Sequence, residues 1–365
     1  MYCEKISLKN YRNVENAEIS LTPEINVLYG ENAQGKTNIL EAVYYFAYGK
    51  SFRLAKDKEL IRFGESAANI KIEFTDKDRK RNHEVRFFDS SRKICLKENI
   101  KISRLSEFIG VFRAVLFSPE HLSVVKDGPS ERRNFEDIAI SQLYPAYMSS
   151  ISRYQKTLQQ RNSLLKEPES YSFNDMLYVY SEQLATEAAF ISEYRERYTE
   201  RLSCVVSDII KDMTCGRENV KISYGDRKSK EEYLRLLTEN TEKEIHAGAT
   251  LYGSHKDDIY IELNGKDSRS FASQGQQRSI ALAMKLAEGE ISREITGEYP
   301  VFLFDDILSE LDKNRKSYIL SGLTGKQVII TCCEETEVGN IYTVKNGLVR
   351  GVPAGEPPVA NGGRI

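Results

Sequence analysis

The order of apolar segments along this 365-residue chain predicts an α/β fold whose main sheet is drawn from both ends of the sequence, with a helical arm inserted between them. Three features carry that prediction. Residues Ile25–Tyr29 form a continuous apolar strand pattern that runs into a glycine-containing loop. The middle third changes to helical spacing, and strand patterns return in the last third, one of them ending in two adjacent acids.

In chain order, residues 5–8 and 17–20 read as short strands, and a helical pattern occupies residues 37–46 behind the Ile25–Tyr29 strand. Residues 70–74 and 84–88 alternate and flank the charged turn Asp76-Lys77-Asp78-Arg79-Lys80-Arg81, which predicts a hairpin. Residues 111–117 read as another strand. Ser118-Pro119-Glu120 then has the chemistry of a helix start: a capping hydroxyl, a proline whose missing N–H would be unpaired anyway, and an acid at the positive end. Tyr147, Ile151, Tyr154, Leu158 and Leu165 keep a 3–4 spacing interrupted by Arg161. After Glu167-Pro168-Glu169-Ser170 the spacing resumes at Leu177 and continues through Leu184, Ile191, Tyr198, Leu202 and Ile209. Two amphipathic helices packed antiparallel produce this pattern, the second on the order of 50 Å long. Residues 259–263, 301–304 and 327–331 read as strands, and the glycine- and proline-rich residues 353–365 as a disordered tail. The expected division is a head made of residues 1–120 and 245–352 and an arm of residues 121–244.

Composition excludes more than it suggests. With 40% hydrophobic and 29% charged residues the chain has the make-up of a soluble globular protein. No apolar run approaches the ~18–20 residues of a membrane span, and no basic head with an apolar stretch follows Met1, so a cytoplasmic location is expected. Six cysteines without CxxC or framework spacing suggest reduced thiols rather than disulfides or zinc. A net charge of −2 gives no global sign of nucleic-acid binding, so any such site must be a local patch.

Gly30-Glu31-Asn32-Ala33-Gln34-Gly35-Lys36-Thr37 fits G-x-x-x-x-G-K-[ST] between a strand and a helix. The glycines let successive N–H groups curl around a β-phosphate at a helix N-terminus. Lys36 would neutralise the β/γ oxygens of ATP, and the Thr37 hydroxyl would ligate Mg2+. The apolar run 301–304 ends in Asp305, where a carboxylate holds Mg2+, and Asp306, where one polarises the attacking water. An aspartate pair at a strand end also serves as a helix cap. The long separation of loop and acids, with the arm between them, is the layout of an ABC/SMC-type P-loop ATPase head.

Ser273-Gln274-Gly275-Gln276 opens an alanine- and leucine-rich helical run and offers a second phosphate cradle: a hydroxyl, a close-approach glycine and free N–H groups. In ABC ATPases this segment meets the γ-phosphate bound by the other subunit's P-loop. Ser273, Gly275 and Gln276 are therefore candidate nucleotide contacts across an ATP-dependent homodimer. Ser309-Glu310-Leu311-Asp312 matches the D-loop of such ATPases, which puts Ser309 and Asp312 on the dimer seam.

Several strings resemble the RecF family more narrowly. They are Leu8-Lys9-Asn10-Tyr11-Arg12-Asn13, Ser51-Phe52-Arg53 with Asp57-Lys58-Glu59-Leu60-Ile61-Arg62-Phe63-Gly64, and Phe117-Ser118-Pro119-Glu120-His121-Leu122. To these are added Gly128-Pro129-Ser130-Glu131-Arg132-Arg133, Gln160-Arg161-Asn162-Ser163-Leu164-Leu165 and Thr250-Leu251-Tyr252-Gly253-Ser254-His255-Lys256-Asp257-Asp258. The resemblance spans roughly residues 1–350. It implies a DNA-binding ATPase of recombinational repair and replication, within the SOS response, that loads recombinase with RecR- and RecO-like mediators. Two departures matter. Lys256 stands where the family carries arginine, and Cys332-Cys333-Glu334 follows the strand at 327–331 without the switch histidine of many ABC ATPases, which implies slow hydrolysis. His255 reads equally as a site residue or as a structural histidine.

The resemblance implies contacts with single-stranded and duplex DNA. Candidates are Arg53, Lys56 and Arg62 in one basic stretch and Lys80 and Arg81 in another. Such groups would bind phosphates by charge without base readout, or else form a solvated face. An SMC-like ATPase of the overcoming-lysogenisation type, acting with a nuclease, is the alternative reading. A transporter subunit would leave the long arm without a role.

Overall fold

The structure is a computed structural model that describes residues 1–53, 55–169, 172–306, 313–334 and 339–351. It forms two compact units, one of Met1–His121 with the described residues from Glu288 onward and one of Leu122–Ala287.

The first unit opens with β1 (Tyr2–Tyr11), β2 (Val14–Ser20), β3 (Ile25–Tyr29) and α1 (Lys36–Tyr48). Then follow β4 (Ala67–Thr75), β5 (Lys80–Phe88), β6 (Ile94–Lys97), β7 (Ile100–Lys101) and β8 (Ala114–Phe117). One sheet has the order β2-β1-β4-β5-β6-β7. The predicted hairpin is β4–β5, with Ile70 opposite Val85. Ala68, Ile70, Ile72 and Phe74 point inward from β4, while the residues between them stay accessible, as period-two alternation over a one-sided core requires. The strand expected at 111–117 is shorter, and Pro119–Leu122 makes a 3-10 turn where a helix start was expected.

The second unit contains α2 (Ser123–Lys126), α3 (Pro129–Leu143), α4 (Pro145–Leu165), α5 (Phe173–Thr214) and β9 (Val220–Tyr224). It continues with α6 (Lys230–Glu239), α7 (Thr241–Ala247), β10 (Ile259–Leu263), β11 (Lys266–Asp267), α8 (Ser268–Phe271) and the start of α9 (Gln274–Thr296). Helices α4 and α5 are antiparallel: Tyr147 meets Tyr194, Ser150 meets Glu187 and Arg161 meets Ser181, so one number rises as the other falls. At 42 residues α5 runs about 63 Å, longer than its apolar stripe suggests. Arg161, which interrupts the stripe, lies fully inside the unit. Its guanidinium is 2.6 Å from the equally buried Glu244 and donates to Ser181 and Thr250, so a paired charge takes the place of an apolar side chain. Strand β9 adds to β10 and β11 in a three-stranded sheet that the sequence reading did not anticipate.

The chain then returns to the first unit as β12 (Val301–Asp305), α10 (Lys313–Gly322), β13 (Val328–Cys332), β14 (Asn340–Lys345) and β15 (Leu348–Gly351). These complete a second sheet of order β15-β14-β3-β13-β12-β8. Its β14, β3, β13, β12 and β8 are mutually parallel, and the inner strands are buried on both faces, which is why β3 and β12 read as unbroken apolar runs. Gln327, just ahead of β13, ties that strand to the N-terminal segments: its amide accepts from Cys3 N at 2.6 Å and donates to Cys3 O and Thr22 O at 2.7 Å. The tail expected at 353–365 lies outside the described residues.

Candidate nucleotide-binding site

Parallel register builds this site. Asp305 on β12 stands level with Thr331 on β13, and β13 in turn sets Cys332 level with Tyr29, the last residue of β3. The C-terminal ends of three strands therefore meet where β3 gives way to the loop Gly30–Gly35, the edge at which open α/β sheets bind ligands. Gly30 has no room for a side chain, since a Cβ would lie 2.3 Å from Val344 O. Gly35, at φ 109°, takes a left-handed turn directly against Asn13 and starts α1. No side chain caps α1 and no acid occupies its first turn, so the positive end of the helix faces the loop.

The Lys36 side chain is almost fully buried. Its ammonium donates to Gly30 O and, at 2.8 Å, to Glu31 O, and lies 3.2 Å from Cys333 Sγ. The Thr37 hydroxyl donates to Asp305 Oδ1 at 2.9 Å, and the Thr331 hydroxyl donates to the same oxygen at 2.9 Å. Burial raises the Asp305 pKa above the usual carboxylate value, and the two hydroxyls oppose that rise. Thr331 Oγ1 also accepts from Asp306 N at 2.9 Å, while Asp306 is exposed with φ 51°. A cavity of about 490 Å3 opens over these groups, lined among others by Asn32, Lys36, Thr37, Asp305 and Asp306.

The RecF/RecN/SMC N terminal domain family matches residues 2–348. The DNA replication and repair protein RecF of Clostridium beijerinckii is 41% identical over 363 residues, covering 96% of this chain and 98% of its own. The chain belongs to the RecF family. The RecF of Clostridium acetobutylicum is 40% identical over 361 residues, again across 96% of this chain and 99% of its own. Solved structures of the recombination mediator protein RecF of the RecFOR pathway, as RecF-ATPrS and RecF-ATP, superpose with TM-scores of 0.91 and 0.90 at 34% identity. They cover 96% of this chain and 98% and 97% of their own. An Smc head domain from Pyrococcus furiosus, 17% identical with a TM-score of 0.57, shares the ABC/SMC-type head fold. Among the described residues no helix is long and apolar enough to cross a membrane.

The strings that resemble RecF have definite places in the fold. Arg12 forms a two-pronged ion pair, at 2.9 and 2.8 Å, with Glu41, which is fully buried on α1 one turn after Thr37 and also accepts from Ser51. Asn13 donates to Gln34 O and accepts from Asn38, bracing the phosphate loop. In the second unit, Arg132 grips Asp258 at 2.7 and 2.9 Å, and Arg195 reaches Asp137 and Asp257. Two RecF strings far apart in sequence are thus halves of one buried charge network. Thr250 O can only accept, so His255 Nε2, 3.0 Å away, carries the proton and Nδ1 accepts from Tyr154 at 2.6 Å. Burial holds the His255 pKa down to about 4, and the ring is a neutral structural group.

The remaining candidates spread more widely. Arg53 lines the cavity and donates to Asn38 at 2.9 Å. Lys56 is exposed, whereas Arg62 pairs with Glu15 at 3.1 Å, Lys80 with Glu4 at 2.8 Å, and Arg81 with Asp76. The second basic string therefore carries less free charge than its sequence suggests. Ser273, Gly275 and Gln276 lie in the second unit at the start of α9; Ser309 and Asp312 fall outside the described residues. Asn13 and Thr331 are cleft groups that motif reading missed. Asn13 belongs to a recognised string, but nothing local marks Thr331; Cys333, read in the sequence only as part of a segment without a switch histidine, stands 3.2 Å from the Lys36 ammonium.

Proposed function

We propose that this chain is an ATP-gated DNA clamp of recombinational repair and replication. The observation that carries the reading is the meeting of Lys36, Thr37 and Asp305 at one cleft in a chain of the RecF family. Lys36 donates to two neutral carbonyls, and the β/γ oxygens of ATP would offer it a stronger charged contact. Glu31, Asn32, Ala33 and Gln34 supply backbone to the same cradle. Thr37 Oγ1 and Asp305 Oδ1 fit Mg2+: they are hard oxygens 2.9 Å apart, and the carboxylate lies where solvent offsets little of its charge. Bound there, the ion would neutralise phosphate charge. Asp306, exposed beside Asp305, is positioned to polarise a water, and Cys333 beside Lys36 replaces an imidazole donor with a weak thiol, consistent with slow hydrolysis.

In this reading residues 1–120 with 245–352 form the head and 121–244 the arm. ATP bound by one chain is closed by Ser273, Gly275 and Gln276 of a second copy, with Ser309 and Asp312 along the seam. The joined form grips DNA by charge and shape, at duplex beside a single-stranded gap, with RecR- and RecO-like mediators as partners; hydrolysis releases it. Lys36→Met tests the gate. DNA retention on duplex, single-stranded and gapped substrates is measured with ATP, with ADP and without nucleotide. The ATP-dependent increment should vanish in Lys36→Met while the fold is kept; an unchanged increment would refute gating.

A further inference from the structure

The segment around Ser273 is held by a residue that no motif includes. Gln276 Oε1 accepts from Ser273 N at 2.8 Å, and Gln276 N donates to Ser273 Oγ at 3.3 Å, so the two residues cap each other. The other end of the same amide, Nε2, donates to Glu218 Oε1 at 2.9 Å. Glu218 sits in the turn after α5, and its N–H is bonded at 3.2 Å to the hydroxyl of Thr214, the last residue of that helix.

We propose that Glu218 is a positioning residue that orients Gln276 and ties the end of α5 to the phosphate cradle at Ser273. The inference rests on the shared-site reading of Ser273 above. A glutamine amide can sit either way round, but a carboxylate only accepts. Reversing the amide would set Oε1 against the Glu218 carboxylate and Nε2 against Ser273 N–H, two repulsive contacts in place of two bonds. With the amide fixed, Ser273 Oγ accepts from the Gln276 backbone, and its single hydroxyl proton is left to point outward from an exposed position. That proton is the one a phosphate oxygen presented by a second copy would take. Because Glu218 hangs from the last residue of α5, a shift of the helix end is felt at Gln276 through two hydrogen bonds.

The test compares Glu218→Ala, Glu218→Gln and Glu218→Lys in the full chain, reading ATP binding by the monomer and ATP-dependent dimerisation by sedimentation. Glu218→Gln still offers a carbonyl to Gln276, whereas Glu218→Ala offers nothing and Glu218→Lys offers only donors, which favours the reversed amide. Loss of one neutral hydrogen bond's worth of ordering corresponds to about 5-fold per site, or about 25-fold for a two-fold dimer with two sites. Glu218→Ala should lose that factor in dimerisation, Glu218→Lys more, and Glu218→Gln should stay within about 2-fold of the parent. ATP binding by each monomer should be unchanged. Parent-like dimerisation of Glu218→Ala, equal impairment of Glu218→Gln, or loss of monomer ATP binding overturns the proposal. Ser273→Arg run in parallel separates the two levels. If it dimerises normally, the shared site fails and this inference with it; if it does not dimerise while Glu218→Ala is unaffected, only the positioning role fails.

Discussion

Replacing Asp305 with asparagine should move stability in opposite directions with and without nucleotide. The carboxylate is only 9% exposed, and the hydroxyls of Thr37 and Thr331 both donate to one of its oxygens. Asparagine keeps that acceptor and sheds a charge that burial disfavours, so the nucleotide-free protein should gain up to about 1 kcal/mol, or roughly 2–4 °C in Tm. The pH dependence has a definite sign. Folding raises the Asp305 pKa above 3.8, so its contribution to stability is complete below pH 3.8 and is lost as pH rises through the folded-state value. The advantage of Asp305→Asn should therefore be present at pH 7 and shrink as pH falls toward 3.8. With Mg-ATP the order reverses. At a ligand concentration of about 100 Kd the parent gains about 2.7 kcal/mol. Loss of one charged contact of about 2.3 kcal/mol weakens binding about 50-fold and leaves the variant about 0.7 kcal/mol. The two ATP-induced gains differ by about 2 kcal/mol, so the melting shifts followed by calorimetry differ by roughly 4–8 °C and the ATP-loaded parent ends about 1 kcal/mol above the variant. Equal ATP-induced shifts in the two proteins, or a nucleotide-free variant less stable than the parent, would refute the reasoning.

Further outcomes follow from the same geometry. Arg161→Met should cost about 3–5 kcal/mol in denaturant unfolding by stranding Glu244, and adding Glu244→Leu should restore most of it. Burial pushes the Glu136 pKa up from 4.5 to about 8, so stability should decline as pH rises between those values; Glu136→Gln should flatten that part of a pH–stability profile. Asp306→Asn and Ser273→Arg should each abolish ATP hydrolysis, yet mixing them should restore activity, because random pairing leaves about a quarter of shared sites intact. Cross-linked mixed dimers with no hydrolysis above the separate variants would exclude the shared site.

What the sequence determined by itself was local. The phosphate loop is legible because its glycine spacing, the apolar strand before it and the helical pattern after it are all set by neighbours in the chain. The β4–β5 hairpin and the α4–α5 pair are legible for the same reason, since alternation and 3–4 spacing follow from which face is buried. Arg161 reads as a fault in its stripe because its partner, Glu244, lies on another helix 83 residues on and no local pattern announces it. The short strands β9, β14 and β15 passed unnoticed because their apolar residues are few; β9 and β14 are held by pairing with the distant β10 and β3, and β15 by its hairpin with β14. Motif reading already puts Thr37 and Asp305 at one metal site, and they lie 2.9 Å apart across 268 residues. Only the tertiary structure decided what else stands there: parallel register, rather than motif, sets Thr331 level with Asp305. The same holds for charge: Arg62, Lys80 and Arg81 look free in the sequence, but folding brings Glu15, Glu4 and Asp76 against them. Residue type and spacing carry information only over the few positions that one turn or one strand spans. Which carboxylate faces which cation depends on chain segments that meet only after the sheets have formed.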